Sequence, residues 1–393
     1  MLKYNNRTLK YNSRWLNEGE ITRIYNVNIV ASTGGTISAS PTSGMSGTEV
    51  TLSNTPATNY RFTSYSVTGA TLKSSNKFDI ANSDVYAKGN FEYVDPLNPL
   101  GLPPYTVQLL YKSGTRPREN YGTFTQVSSS PNLWNWKYTN SNWSASFLTD
   151  TNLLQVKGAN STNVTNMSSM FQGCTSLTSV ALFDTSSVTN MNSMFRGCEA
   201  LTSVASFNTS NVTNMAYMFR ECKSLTSVPL FNTSKVTTMA HMFYWSTITT
   251  VPLFNTSEVT DMSWMFHSCS RITSLPLFVT SKVTTMEGMM NECQYLQTVP
   301  LFDTSNVTNM RRMLCNCIRL QSLPLFDLTK VTNMEETFAN CEICASGQYN
   351  LYSSAANKSI AVTNHTATFY NCGSSSTTGA AELAQIPSGW KSR

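Results

Sequence analysis

The sequence predicts a multidomain chain: a small all-β unit followed by a solenoid of short strands and short helices, about 24 residues per turn. Two observations carry this and a third bounds it. Val164, Val188, Val212, Val236, Val259, Val283, Val307 and Val331 each open a similar unit, at a step of 24 residues with one step of 23. A fixed period in this range marks stacked supersecondary units that bury one continuous core. Ahead of them, residues 26–94 alternate apolar and polar positions between glycine-rich turns, the pattern of half-buried strands. Charged residues make up only 12% of the chain, the formal net charge is +5, and no Lys/Arg-rich run occurs, so nucleic-acid binding has no electrostatic footprint. No run of apolar residues is long enough to cross a membrane as a helix.

Residues 1–25 repeat a short phrase, Leu2-Lys-Tyr-Asn-Asn-Arg-Thr and Leu9-Lys-Tyr-Asn-Ser-Arg-Trp. The alternation and the Asn-Asn and Asn-Ser turns predict a small hairpin, too small to fold alone and suited to attach the chain to something else. The opening residues lack an apolar core and cleavage site, so no secretory signal is expected there. In 26–94, strands are expected near Val27–Ala31, Thr48–Leu52, Arg61–Val67 and Val85–Tyr93. Four prolines between Asp95 and Pro104 predict an extended linker. Residues 105–163 hold Trp134, Trp136, Tyr138, Trp143 and Phe147, which suit either a cap over the open end of the solenoid or a sugar-stacking platform. The half-repeat spacing of Leu153–Asn163 favours the cap.

Within a unit the phrase V-T-N-M-x-x-M-F-x-x-C puts Met167, Met170, Phe171 and Cys174 at helical spacing, with Thr165 or Asn166 as cap. Leu177 and Val180 then point inward from a short strand, a proline ends it in five units, and the Leu-Phe pair that follows is expected to return to the core. Fifteen of 18 methionines fall in two columns, and eight cysteines in one, which reads as core packing and a ladder of reduced thiols. The repeats extend over 164–344, and 345–393 holds a degenerate unit, Val362 to Cys372, and a C-terminal cap.

Two resemblances follow from these residues. The run V-N-I-V-A-S-T-G-G-T-I through G-T-E-V-T-L and Y-R-F resembles the B-repeat modules of internalin-like surface proteins, which implies a small Ig-like β spacer. Units such as S-L-T-S-V-P-L-F-N-T-S-K-V-T-T-M-A-H-M-F resemble the BspA-like leucine-rich repeats of bacterial and mycoplasma surface proteins. That resemblance implies a right-handed solenoid used for adhesion, with no shared catalytic residues and no cofactor.

The search for chemistry leaves little. The histidines His241, His267 and His365 form no triad or metal spacing, and the first two are expected on the outer side of the repeat helices. Cys315, Cys317, Cys341 and Cys344 could form a four-thiolate metal site, yet two of them are ladder cysteines already explained by the repeat. Asn-x-Ser/Thr triplets such as Asn208-Thr-Ser read as turns rather than glycan sites. The outward positions of units three to five, Tyr217, Arg220, His241, Tyr244, Trp245, Trp264 and His267, would form an aromatic-basic patch, either a binding surface or lateral packing between turns. The expected function is a non-enzymatic virion protein of a bacteriophage, a fibre or capsid decoration. It would join other virion proteins through its arm and a host surface protein or glycan through its repeats, as a homo-oligomer for which a trimer is the expectation. The alternative is a bacterial cell-surface adhesin.

Overall fold

The computed structural model describes residues 10–11, 14–15, 23–96, 98, 100–117, 123–138, 140–357 and 362–392. The chain divides into two compact units, Met1–Pro99 and Leu100–Arg393, and the described residues are mostly β, with two short α-helices among them, both after residue 340. Among the described residues no helix is long and apolar enough to cross a membrane.

In the first unit, Lys10–Tyr11 (β1) and Arg14–Trp15 (β2) pair antiparallel, at the place where the hairpin is expected. The remaining residues of the arm before Arg23 lie outside the described residues. Two sheets follow. Tyr25–Ile29 (β3) lies between Ser43–Gly44 (β5) and Val85–Tyr93 (β9), and β9 pairs on its other side with Tyr60–Thr68 (β7). Gly35–Ser40 (β4), Glu49–Pro56 (β6) and Lys77–Asp79 (β8) make the second sheet. Val27, Val50, Leu52, Phe78, Ile80, Val85 and Ala87 form one buried core. Strands β4 and β8 were not legible as apolar alternation, because β4 is Gly-Thr-Ile-Ser-Ala-Ser and β8 has only three residues. Gly34 turns the chain into β4 at φ 90°, and a Cβ there would lie 2.2 Å from the Tyr60 ring, so side chain and conformation both require glycine.

The second unit begins inside the proline-rich stretch. Leu102 is buried, and its carbonyl accepts from the Asn160 amide at 2.8 Å. Thr106–Tyr111 (β10), Thr123–Ser129 (β11), Asn132–Lys137 (β12) and Leu153–Asn160 (β13) form an antiparallel sheet in the order β11-β12-β10-β13. Strand β13 then pairs in parallel with Ser179–Val180 (β14) of the first repeat, so the cap sheet runs straight into the array. Trp136 and Trp143 are fully buried, and Trp136 packs edge-on to Phe147 at 4.9 Å, which in turn stacks on Phe171 of the first repeat at 5.4 Å. Trp136 and Trp143, being buried, present no face to a sugar; with Phe147 they cover the end of the core.

Successive repeats stack in parallel. Asn142, Asn166, Asn190, Asn214, Thr238, Asp261, Thr285, Asn309, Asn333 and Asn364 bridge each to the next. The expected short helices are absent. The segment from Met167 to Cys174 is a string of turns in which the amides alternate between two uses. Those of Met170, Gln172 and Cys174 close turns onto the carbonyls three residues back, at 3.1–3.3 Å. Those of Met167, Ser169, Phe171 and Gly173 donate to Asn190, Asn192, Met194 and Arg196 of the next repeat, at 2.7–3.0 Å. An α-helix would keep every amide on its own i−4 carbonyl and leave none to join repeats. Spacing of i, i+3, i+4 and i+7 is equally the signature of a four-residue turn period. The distinguishing mark is a left-handed residue every fourth position, as at Ser169 (φ 54°) and Gly173 (φ 74°). Asn166 serves as an Asx turn, its Oδ1 accepting from the Ser168 amide at 3.0 Å.

The core is a set of columns. Phe171, Phe195, Phe219, Phe243 and Phe266 stack with centroids 5.7–5.8 Å apart. The thiols of Cys198, Cys222, Cys269 and Cys293 each donate to the carbonyl of the phenylalanine one repeat back, at 3.0–3.2 Å. Thr185, Thr209, Thr233, Thr256, Thr280 and Thr304, buried, donate to the following repeat's backbone at 2.7–2.9 Å. The Leu-Phe pair does not return to the core together. Phe231, Phe254, Phe278 and Phe302 are buried, whereas Leu230, Leu253, Leu277, Leu301 and Leu325 are 60–64% exposed. Extended backbone sends neighbouring side chains to opposite faces, so only one of the two can be inside.

At the far end, Gln348–Ala356 (α1) and Thr377–Ala384 (α2) pack beside the degenerate unit. The amides of Ala367 and Phe369, which in other repeats would bond onward, donate instead to Ser392 and Trp390 at 3.1 and 3.0 Å. Trp390 also stacks on His365 at 4.3 Å. The chain end thus supplies the last rung of acceptors.

Candidate recognition face

The turn string sets the site. Its sixth and tenth residues take the left-handed conformation in every repeat, and in units three to five these are Tyr217 (φ 61°), Glu221 (φ 62°), His241 (φ 57°), Trp245 (φ 56°), Trp264 (φ 56°) and Ser268 (φ 54°). Glycine occupies equivalent positions at Gly173, Gly197 and Gly288. A bulky residue there costs about 1 kcal/mol or more relative to glycine. Four large rings held at that cost call for a compensating role.

The seven residues singled out in the sequence come together. Tyr217 stacks on His241 at 4.5 Å, and His241 on Trp264 at 6.3 Å, forming one row across three repeats. Arg220, Tyr244 and His267 form the second row: the guanidinium lies 4.4 Å over the Tyr244 ring, and Tyr244 is 4.3 Å from His267. His241–Tyr244 and Trp264–His267 contacts at 5.4 and 5.2 Å join the rows, and Trp245 lies 5.8 Å from Tyr244 with half its surface exposed. Arg220 is fixed by Glu221, to which its Nε donates at 2.9 Å. Trp264 lies where a Cβ of Gly288 would be, 2.3 Å from that position, so the glycine clears space for the indole.

His267 is a correction. It is buried, only 6% exposed, rather than outward, because Tyr244 and Trp264 close over it. Burial pushes its imidazole down from the usual value. His241, half-buried, is pushed down to about 4 by desolvation and then by the Arg220 charge. Nδ1 of both rings has no hydrogen-bond partner. Both imidazoles are therefore neutral at pH 7, and the face is a π surface edged by Arg196 and Arg220 rather than a cationic one.

Sequence reasoning missed the neighbouring half of this face. Arg311 lies between Glu287 (3.2 Å) and Glu335 (3.1 Å), and Arg312 pairs with Glu336 at 2.7 Å. The alternation of sign one repeat apart was the available signal. Chemically, the rows can stack against planar or ring-bearing groups, and Trp245 is the ring most open to them.

All ten cysteines are buried and outside disulfides, and among the described residues no three His, Cys, Asp or Glu side chains form a metal-binding group. Cys317 and Cys341 donate to Met290 and Leu314 carbonyls at 3.2 Å, as ladder cysteines do, and Cys344 donates to Ser346 at 3.5 Å. Cys315 is buried apart from that ladder.

Comparison with known proteins agrees with the two-part reading. A family model described as Mycoplasma protein of unknown function, DUF285, matches residues 139–253 and 245–351, together more than half of the chain. A second, described as Divergent InlB B-repeat domain, matches residues 25–95. No curated protein and no solved structure shows a significant match.

Proposed function

The chain belongs to the family described as Mycoplasma protein of unknown function, DUF285, and on that footing we propose that it is a non-enzymatic surface-recognition protein. Its repeat array is a right-handed solenoid that presents the Tyr217–His267 face to a glycan or protein on a host surface, and the β module ahead of it is a spacer. One observation carries the reading: three consecutive repeats place aromatic rings at left-handed positions that the other repeats fill with glycine, serine, asparagine or charged residues, and the rings meet to form one surface. Core packing does not need them, because the two buried methionine columns continue through the repeats whose sixth residue is serine or glycine, and the phenylalanine column continues through the serine repeats. A phage virion is the carrier we propose, with the N-terminal arm joining it to other virion proteins. A bacterial cell surface is the second reading, favoured by the mycoplasma and InlB-like character of the matched families. Immunogold labelling of purified particles and of intact cells separates the two: label on particles supports the virion, and label on cells alone refutes it. Screening the purified chain against arrayed bacterial glycans and surface proteins tests recognition itself. A ligand lost on Trp245→Ala supports the reading, and binding to no member of the array, or binding insensitive to that change, counts against it.

A further inference from the structure

A second feature lies on a different face of the repeats. Leu230, Leu253, Leu277, Leu301 and Leu325 occupy the same position in five consecutive units, and each is mostly exposed. Each follows a proline (Pro229, Pro252, Pro276, Pro300, Pro324), which has no amide to donate. Parallel rungs repeat at about 4.8 Å, so the stripe from Leu230 to Leu325 runs for roughly 19 Å. The unit before it ends the pattern with Ser206. A contiguous apolar stripe of this kind marks an interaction surface.

Two residues beyond each leucine, on the same side of the extended backbone, the series reads Asn232, Asn255, Val279, Asp303, Asp327, all exposed. The series has a direction and a centre. Val279, half-exposed, is the middle member and sits beside Leu277, the middle leucine. Its neighbours on one side are neutral amides, and on the other are carboxylates held below their usual range by hydrogen bonds from Ser305 and Thr329.

We infer that this stripe is an isologous interface with a second copy of the chain, arranged antiparallel about a two-fold axis at Leu277 and Val279. A two-fold contact must be self-complementary. With the axis at the fifth repeat, the third repeat of one copy faces the seventh of the other, and the fourth faces the sixth. Asp327 then meets Asn232, Asp303 meets Asn255, and Val279 meets its own counterpart. No carboxylate faces a carboxylate. A parallel arrangement, or a three-fold one that brings equal repeats together, would set Asp303 against Asp303 and Asp327 against Asp327. The leucine ladders share one rise by construction, so the leucines of one copy meet those of the other rung for rung along the whole stripe. A stripe this short is at the small end of specific interfaces, so the dimer is expected to form in the micromolar range.

Sedimentation equilibrium of the full chain, from about 1 to 100 µM, is the test, with L277D and V279D as variants. Both side chains are exposed, so the fold is expected to survive, as thermal melting would verify. The expected result is a monomer–dimer equilibrium whose dissociation constant rises at least 30-fold in each variant. A purely monomeric or trimeric wild type, or a dimer indifferent to both changes, overturns the inference. Cysteine cross-linking with a short bis-maleimide gives an independent readout of direction. V279C is expected to join to its own copy, whereas L230C joins only to L325C in a mixture of the two variants. Efficient self-joining of L230C would show a parallel contact and refute the antiparallel one.

Discussion

Neighbouring residues Leu253 and Phe254 offer a sharp test of how the array is built. Phe254 is fully buried and stacks on Phe231 at 6.4 Å, while Leu253 is mostly exposed. Truncating a buried phenylalanine removes its transfer free energy and leaves a cavity, at a cost of about 3–5 kcal/mol. Because stacked repeats close over their neighbours and cannot collapse independently, Phe254→Ala is expected near the middle, about 4 kcal/mol. Leu253→Ala removes side chain already in water and should change stability by less than about 0.5 kcal/mol. Urea unfolding followed by circular dichroism, at concentrations below 1 µM so that self-association does not contribute, measures both. With an m-value of about 3 kcal/mol per M, the midpoint should fall by roughly 1.3 M for Phe254→Ala and hardly at all for Leu253→Ala. Equal losses for the two would refute the alternation and restore the expectation that both return to the core.

Three further outcomes follow from the geometry. An unfolded histidine titrates near 6.5 and folded His241 near 4, so between those values the unfolded chain holds more protons and stability falls as pH drops. Because the ring is half-exposed the loss is discounted to roughly 1 kcal/mol, fully absent above pH 6.5, and His241→Gln should flatten that part of the pH profile. Thiol labelling should find the ladder cysteines inert in the native state, since all are buried and burial pushes Cys198, Cys222, Cys269 (to about 12) and Cys293 up, with Cys344, lowered by a hydrogen bond from Cys372, reacting first. Uniform labelling would contradict the ladder. Asn214→Ala removes the acceptor for the Ala216 amide, 3.0 Å away, and should cost about 1 kcal/mol by urea unfolding, as loss of a cap does.

The period, the core columns and the seven residues of the aromatic face were legible because each recurs or departs at a fixed step, which a single sequence displays. Which backbone carries the period was not. The Met167–Cys174 spacing fits a helix and a turn string alike, and only the glycines at Gly173, Gly197 and Gly288 hinted at left-handed positions. Leu230 and its equivalents were misplaced because hydrophobicity was taken for burial, although an alternating backbone admits one of two neighbours. His267 was placed outside because exposure of one repeat cannot be read without the side chains of the next. Helices α1 and α2 escaped notice for a compositional reason: Gln348–Ala356 and Thr377–Ala384 are rich in Ala, Ser and Thr and carry little amphipathic pattern.

The claim that the aromatic rows are a recognition surface is tested most directly by affinity. For a ligand recovered from the glycan and protein arrays, titration calorimetry would compare the wild-type chain with Tyr244→Ala and Trp264→Ala, each verified as folded by its urea midpoint. Central aromatic anchors are worth about 2 kcal/mol or more, so each variant should bind at least 30-fold more weakly. Unchanged affinity in both folded variants would show that the rows only pack repeat against repeat, and would contradict the proposed function.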